Sequence, residues 1–213
     1  MANKSKRCVI VGGANIENYE KISQYLRDDD FFIFCDSGLS HQNALGVQPD
    51  LIVGDFDSHP QPNVDIETIV LPVEKDDTDT VYGVKEAVKR GFQDFLLLGV
   101  VGKRLDHSLG NVSILLYIDS LGMNGAIIDD YSYMEIISHK PAFVEDEYPY
   151  FSLLNISGKA EGITIENAKY PLHHAKICCE YQYGISNEVI PGKTARITVD
   201  DGKLLLIKVF SVL

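Results

Sequence analysis

The chain predicts a doubly wound α/β domain with a mostly parallel sheet, followed by a small all-β sandwich domain. Three observations carry that expectation. The first 132 residues alternate short apolar runs with helical segments. The remainder is made of β-prone runs alone. Acids, glycines and cations gather just after the apolar runs of the first part.

The runs are "RCVIV", "FFIFC", "DLIVG", "ETIVL", "DFLLLGV" and "GAIID". They are apolar at nearly every position, as strands covered on both faces are. In "DTDTVYGVKEAVKRG", Val81, Val84 and Val88 recur at i, i+3 and i+7, and Gly91 stands where a helix stops. Asp76, Asp77 and Thr78 precede this helix and can each cap it and complement its dipole, Asp77 foremost. "DHSLGNVSILLYIDSLG" predicts a second helix, from an Asp106 cap to Gly122. Past residue 132 come "YMEIIS", "YFSLLNIS", "GITIENA", "AKICCEYQY", "ARITVD" and "KLLLIKVFSVL", separated by Gly, Pro and Asn. The expected domains are residues 1–132 and 133–213.

Composition narrows the function. With 213 residues, 45% of them hydrophobic, the chain can bury a substantial core. A formal charge of −12 argues against a sequence-independent grip on nucleic acid and suits a cationic ligand or a bound metal. No apolar run reaches membrane-spanning length, and "MANKSKRCVIVGG" lacks an apolar signal region. The expectation is a cytoplasmic protein with no membrane partner. Cys8 and Cys35 lie within apolar runs and read as structural thiols; with Cys178 and Cys179 they offer no metal-ligand spacing.

Ligands of open parallel sheets bind beyond the carboxyl ends of the strands. Those ends carry Gly12-Gly13, Asp36-Ser37-Gly38 and Gly54-Asp55-Phe56-Asp57-Ser58. They also carry "EKDDTDT", with Asp79 entering a helix, and "GKRLDHSLGN", with Lys103, Arg104, Asp106 and His107. Asp55 and Asp57, two apart on a strand end, place Cα atoms about 6–7 Å apart. Their charges repel by roughly 2–3 kcal/mol at an effective dielectric of about 20. A polar turn would explain one such pair, but a second acidic cluster at the same edge calls for a cation. Oxygen ligands select Mg2+ or Ca2+, and Mg2+ characteristically pairs one or two carboxylates with substrate phosphates. Asp79 is the better metal candidate in its cluster, although an acid in a first helical turn also complements the dipole. Arg104 suits bidentate phosphate binding at a helix N-terminus, with Lys103 and Lys75 as further cations. His107 reads equally as a helix-start histidine or a catalytic one. Neither GxxxxGK[ST] nor GxGxxG is present, so any nucleotide is held by another arrangement.

The blocks "CDSG", "PDLIVGDFDS", "EKDDTDT", "GKRLDHSLGN" and "GISNE", in this order, resemble the bacterial thiamine pyrophosphokinase (thiamine diphosphokinase) family. The resemblance implies transfer of pyrophosphate from ATP to the hydroxyl of thiamine, giving thiamine diphosphate and AMP. It implies Mg2+ on Asp55, Asp57 and Asp79, and an active-site pair of Arg104 and Asp106. It further implies an ATP-side role for Asp36, thiamine contacts from Ser186 and Asn187, and a homodimer with shared active sites. Gly13, Lys103, Arg104 and His107 are ATP-phosphate candidates from their places at the strand ends. Asp57, Asp79, Arg104 and Asp106 are its catalytic candidates. Ser37 replaces a customary glycine, Lys103 stands where a second glycine is common, Val189 replaces an aromatic, and the chain has no Trp. Two rivals remain at this level. One is an Asp-x-Asp phosphohydrolase with Asp55 as nucleophile; the other is a non-catalytic sensor of Mg-nucleotide or thiamine.

Overall fold

The computed structural model of the chain describes residues 6–56, 65–74 and 76–210. Asp57 and Lys75 therefore lie outside the described residues. The chain forms two compact units, Met1–Asp130 and Tyr131–Leu213.

Unit one begins with β1 (Arg7–Val11), α1 (Tyr19–Ser23) and β2 (Phe31–Cys35). A 3-10 helix (Asp36–His41), α2 (Gln42–Leu45), β3 (Leu51–Gly54) and β4 (Thr68–Val70) follow. The unit continues with α3 (Asp79–Lys89), β5 (Asp94–Leu98), α4 (Leu105–Ser120) and β6 (Asn124–Ile128). The strands pair in parallel in the order β6-β5-β1-β2-β3-β4. The six apolar runs become these six strands. β1, with buried side chains along its whole length, sits between β2 and β5. Each fully buried Val, Ile or Leu here stabilises the fold by about 1.5–3 kcal/mol. Only the edge strand β4 is left mostly uncovered, with Val70 exposed. Arg7, within the same run, is buried because Asp30 meets its guanidinium at 2.9 and 2.7 Å and Tyr25 O accepts at 2.7 Å.

The helices depart from expectation in their caps and faces. Thr78, not Asp77, caps α3, its hydroxyl accepting from the Val81 N–H at 3.4 Å. Asp77 instead binds Lys85 Nζ at 2.6 Å. The buried face of α3 is Gly83, Val84 and Ala87, while Val81 and Val88 flank it half-buried. Gly83 is small because Cys35 Sγ would stand 3.1 Å from a Cβ there. For α4 the cap position belongs to Arg104, through its extended backbone and without a side-chain cap; Asp106 lies inside the first turn. Gly91 and Gly122 do end the helices. Each has positive φ, and the residue after it reaches back to the fourth-last turn carbonyl (Phe92 N to Ala87 O, Met123 N to Ile118 O, both 3.2 Å).

Unit two is all antiparallel. β7 (Ser132–Ile137), β14 (Leu204–Val209), β9 (Tyr150–Leu154) and β12 (Gly184–Asn187) pair in that order. β11 (Leu172–Cys178), β10 (Lys159–Glu166), β13 (Thr194–Thr198) and β8 (Ala142–Glu145) form a second set. Inward residues of both sets, among them Ile137, Phe151, Leu206, Ile163, Ile177 and Ile197, share one core, which makes the unit a sandwich. β8 and β12 lie outside the runs read as strands.

Candidate active site at the carboxyl edge of the parallel sheet

Chain order reverses direction across the sheet between β1 and β5, because β2, β3 and β4 extend to one side of β1 and β5 and β6 to the other. That switch point is where open α/β sheets bind ligands. Its walls are held together by backbone: Gly12 N–H donates to Leu98 O at 2.8 Å and Ala14 N–H to Gly99 O at 2.7 Å.

On one side stand the acids. Asp36 follows β2 in the left-handed region, with φ 42°. The backbone of Asp36 lies against β3, since a Cβ on Gly54 would be 3.2 Å from Asp36 Cα. Asp55 follows Gly54, and the next residue, Phe56, also has positive φ, 55°. Asp79 comes from the start of α3, where its carbonyl accepts from Cys35 Sγ at 3.5 Å. Asp36, Asp55 and Asp79 are thus brought to the ends of β2 and β3. Burial pushes the Cys35 thiol up, and the charges of Asp79 and Asp36 push it further, which keeps it protonated. Asp36 Oδ1 is buried with no hydrogen-bond partner among the described residues. An all-oxygen donor set with a buried carboxylate oxygen left over fits a hard divalent cation. Among the described residues no three ligating side chains form a ready-made metal cluster. The expected third ligand, Asp57, falls outside them.

Between the acids and the far wall lies the glycine step. A Cβ on Gly13 would meet Ser37 Oγ at 1.8 Å, so the Ser37 hydroxyl occupies the space that Gly13 leaves open. The close approaches at this step are made at Gly13 and Gly38. A Cβ on Gly38 would come within 2.2 Å of Val11 O, which is backbone and cannot swing aside. Gly38→Ala is therefore expected to cost on the order of 3 kcal/mol, measured as a lowered urea midpoint. A loss under about 1 kcal/mol would show that the contact relaxes freely.

On the other side, after β5, the loop leading into α4 exposes Lys103, Arg104, Asp106 and His107. Arg104 grips Asp106 through Nε at 3.0 Å and Nη2 at 2.6 Å. The Arg104 guanidinium, helped by the His107 N–H, holds the Asp106 carboxyl well below the usual carboxylate range. Two residues absent from the sequence-derived site shape this loop. Ser108 Oγ accepts from Gly102 N–H at 3.0 Å and lies 3.0 Å from Arg104 O. Asn111 Nδ2 donates to Val100 O at 2.8 Å. Both are buried, and neither was distinguishable in sequence from an ordinary helix polar residue.

In unit two, Ser186 is exposed at φ 57°, its N–H donating to Ser152 Oγ at 3.0 Å. Asn187 is buried. Its Oδ1 accepts from the N–H groups of Tyr170 at 3.0 Å and Glu188 at 2.9 Å, and its Nδ2 donates to Tyr170 O at 2.8 Å. Asn187 therefore clamps the Tyr170 backbone beside Ser186. Five non-glycine residues among those described have positive φ, and three of them, Asp36, Phe56 and Ser186, fall in the site blocks. Such backbone costs of order 1–3 kcal/mol each and concentrates where function demands it.

Residues 22–125 match the family model "Thiamin pyrophosphokinase, catalytic domain", and residues 136–204 match "Thiamin pyrophosphokinase, vitamin B1 binding domain". The thiamine pyrophosphokinase of Bacillus subtilis (strain 168) is 26% identical over 189 residues, which cover 85% of this chain and 88% of that protein. A crystal structure of thiamine pyrophosphokinase from Bacillus subtilis superposes with a TM-score of 0.86 at 22% identity, covering 97% of this chain and 100% of the other. That from Geobacillus thermodenitrificans gives 0.81 at 28% identity, covering 95% and 97%. With both of its domains matched in order across most of the sequence, the chain belongs to the thiamine pyrophosphokinase family.

Proposed function

We propose that the chain transfers pyrophosphate from ATP to the hydroxyl of thiamine, using the carboxyl edge of the parallel sheet for the polyphosphate. The observation that carries the reading is the ordering of that edge. Acids end β2 and β3, Gly12-Gly13 ends β1, and Lys103 and Arg104 follow β5. Neighbouring strand ends are about 4.8 Å apart, so a polyphosphate lying across β1 has acids on one flank and cations on the other.

In the reaction the thiamine hydroxyl oxygen bonds to the β-phosphorus of ATP. The bond from that phosphorus to the oxygen bridging it to the α-phosphorus breaks, the hydroxyl proton is lost, and AMP departs. Asp55 and Asp79, with Asp36 and Asp57, are the residues that would hold Mg2+, which when bound offsets charge on the phosphate oxygens. Arg104, tethered by Asp106 through Nε and Nη2, keeps its Nη1 hydrogens for an anion. Lys103 and His107 flank it, and Gly13 lies at the end of β1 beneath the polyphosphate, with the Ser37 hydroxyl packed against it. Ser186 takes the thiamine side in unit two, with Asn187 holding Tyr170 and the turn around it. Thiamine is a cation, and the net charge of −12 favours its approach. A homodimer with shared active sites fits α4, whose Leu105 and Leu109 are 68% and 60% exposed one turn apart. The same reading places the chain in the cytoplasm; among the described residues no helix is long and apolar enough to cross a membrane.

The deciding experiment incubates purified protein with ATP, Mg2+ and thiamine, with thiamine-free and EDTA controls. Equal amounts of AMP and thiamine diphosphate, dependent on both thiamine and metal, are expected. ADP or free phosphate formed without thiamine would overturn the reading in favour of a hydrolase.

A further inference from the structure

The loop Gly12–Asn18 leaves β1, and its first residues sit on the end of β5 through the Gly12–Leu98 and Ala14–Gly99 hydrogen bonds. Its far end is held from elsewhere. Asp130, two residues beyond β6, takes the Asn18 N–H on Oδ1 at 2.7 Å and the Glu17 N–H at 3.0 Å from each oxygen. Asn18 then caps α1, its Oδ1 accepting from Lys21 N–H at 3.0 Å, and Tyr19 OH lies 2.8 Å from Nδ1 of the buried His41. β5 lies between β1 and β6. A bond between the loop after β1 and the residue after β6 must therefore pass over the end of β5, where the Lys103–Arg104 loop begins. A Cβ on Gly102 would be 3.0 Å from Ala14 Cβ, so the two loops are also in contact.

We propose that Asp130 is a positioning residue for ATP: it latches the Gly12–Asn18 loop across the switch point and so sets the nucleotide's affinity without touching the reacting atoms. The inference rests on the proposed placement of polyphosphate at this edge. The carboxylate suits the task because two neighbouring N–H groups converge on it, and a charged acceptor makes the stronger hydrogen bond. Without it the Glu17 and Asn18 N–H groups lose this acceptor, and the loop loses its tie to the end of β6.

The test compares Asp130→Ala, Asp130→Asn and Asp130→Glu with the unaltered chain, using titration calorimetry with Mg-ATP and, separately, with thiamine. Asp130→Ala is expected to weaken ATP binding about tenfold or more, the scale of losing hydrogen bonds to a charged acceptor, and to leave thiamine binding within about twofold. Asn keeps an oxygen at the Oδ1 position, which accepts from both N–H groups, but puts an NH2 group opposite the Glu17 N–H, where Oδ2 accepts at 3.0 Å. Asp130→Asn is therefore expected to bind ATP more tightly than Asp130→Ala and more weakly than the unaltered chain. Asp130→Glu keeps the charge but displaces the acceptors, and is expected to weaken ATP binding as well; it decides the matter should the alanine variant fail to fold. Faster hydrogen exchange at the Glu17 and Asn18 amides should accompany the weakened binding. Unchanged ATP affinity in the Ala or Glu variant, or an equal loss for ATP and thiamine, would overturn the proposal. These binding readouts stand apart from turnover, so a chain that binds Mg-ATP yet makes no thiamine diphosphate would refute the proposed reaction and leave the latch standing.

Discussion

Asp79→Asn is expected to lower kcat for thiamine diphosphate formation by about 10²–10³-fold, the scale on which one electrostatic contact to a reacting group counts. The substitution is nearly isosteric and removes only charge. Thr78 still caps α3, and the Cys35 thiol still meets the Asp79 carbonyl rather than its carboxylate, so these two hydrogen bonds are kept. The folded state should lose the interaction of a first-turn acid with the helix dipole, about 0.3–1 kcal/mol. The measurement is kcat at saturating ATP and thiamine beside a thermal melt. A folded variant with near-normal kcat would remove Asp79 from the machinery.

Arg104→Ala should fall by a similar factor, about 10²–10³ in kcat/KM for ATP, and Arg104→Lys should recover little of it. A lysine ammonium is a single point charge; it cannot keep Asp106 on one edge while offering a second edge to phosphate. The pair has a further signature. Arg104 is the leading cause of the depressed Asp106 pKa, so in Arg104→Ala the carboxyl should climb back toward the ordinary carboxylate range, visible by NMR titration. The sign matters for acid behaviour. A depressed carboxylate keeps its favourable pairing at every pH above its ordinary pKa and loses it only as pH falls through the depressed one. Should activity fall between about pH 5 and 6, a group other than Asp106 is the one titrating. A lysine variant with full kcat/KM would show that charge alone suffices at position 104.

The strands of unit one were legible because a parallel sheet buried on both faces writes itself as continuous apolar runs, and even β4, whose Val70 is exposed, kept that signature. β8 and β12 were not legible. "AFVE" and "GISN" are short and half polar, and β12 is interrupted by a register shift between Gly184 and Asn187. The helix stops at Gly91 and Gly122 followed from backbone chemistry, whereas the starts were misplaced by competition among neighbours. Asp77 could have capped α3, but Lys85 lies within its reach and Thr78 takes the cap. Asp106 was drawn to Arg104 in the same way.

For the site, side chains that carry charge announced themselves by type and clustering, and the topology carries Asp36, Asp55, Asp79 and Arg104 to one edge. The residues that hold the loops did not. Ser108, Asn111 and Asp130 act on backbone groups, and Asp130 does so across more than a hundred positions of chain. Such contacts have no period and no composition, so only the fold reveals them.

The central position of β1 bears on how the chain is made. As the polypeptide emerges from the ribosome, β1 to β4 can pair with one another, but the partner on the other side of β1 is β5, ending at Leu98. Until then one edge of β1 stays open, and the site has acids but no cationic wall. Closing so long a loop costs entropy before any contact repays it. Nascent chains stalled before β5 should therefore be unable to retain nucleotide, and the exposed apolar edge of β1 is the surface that a chaperone would shield during that interval.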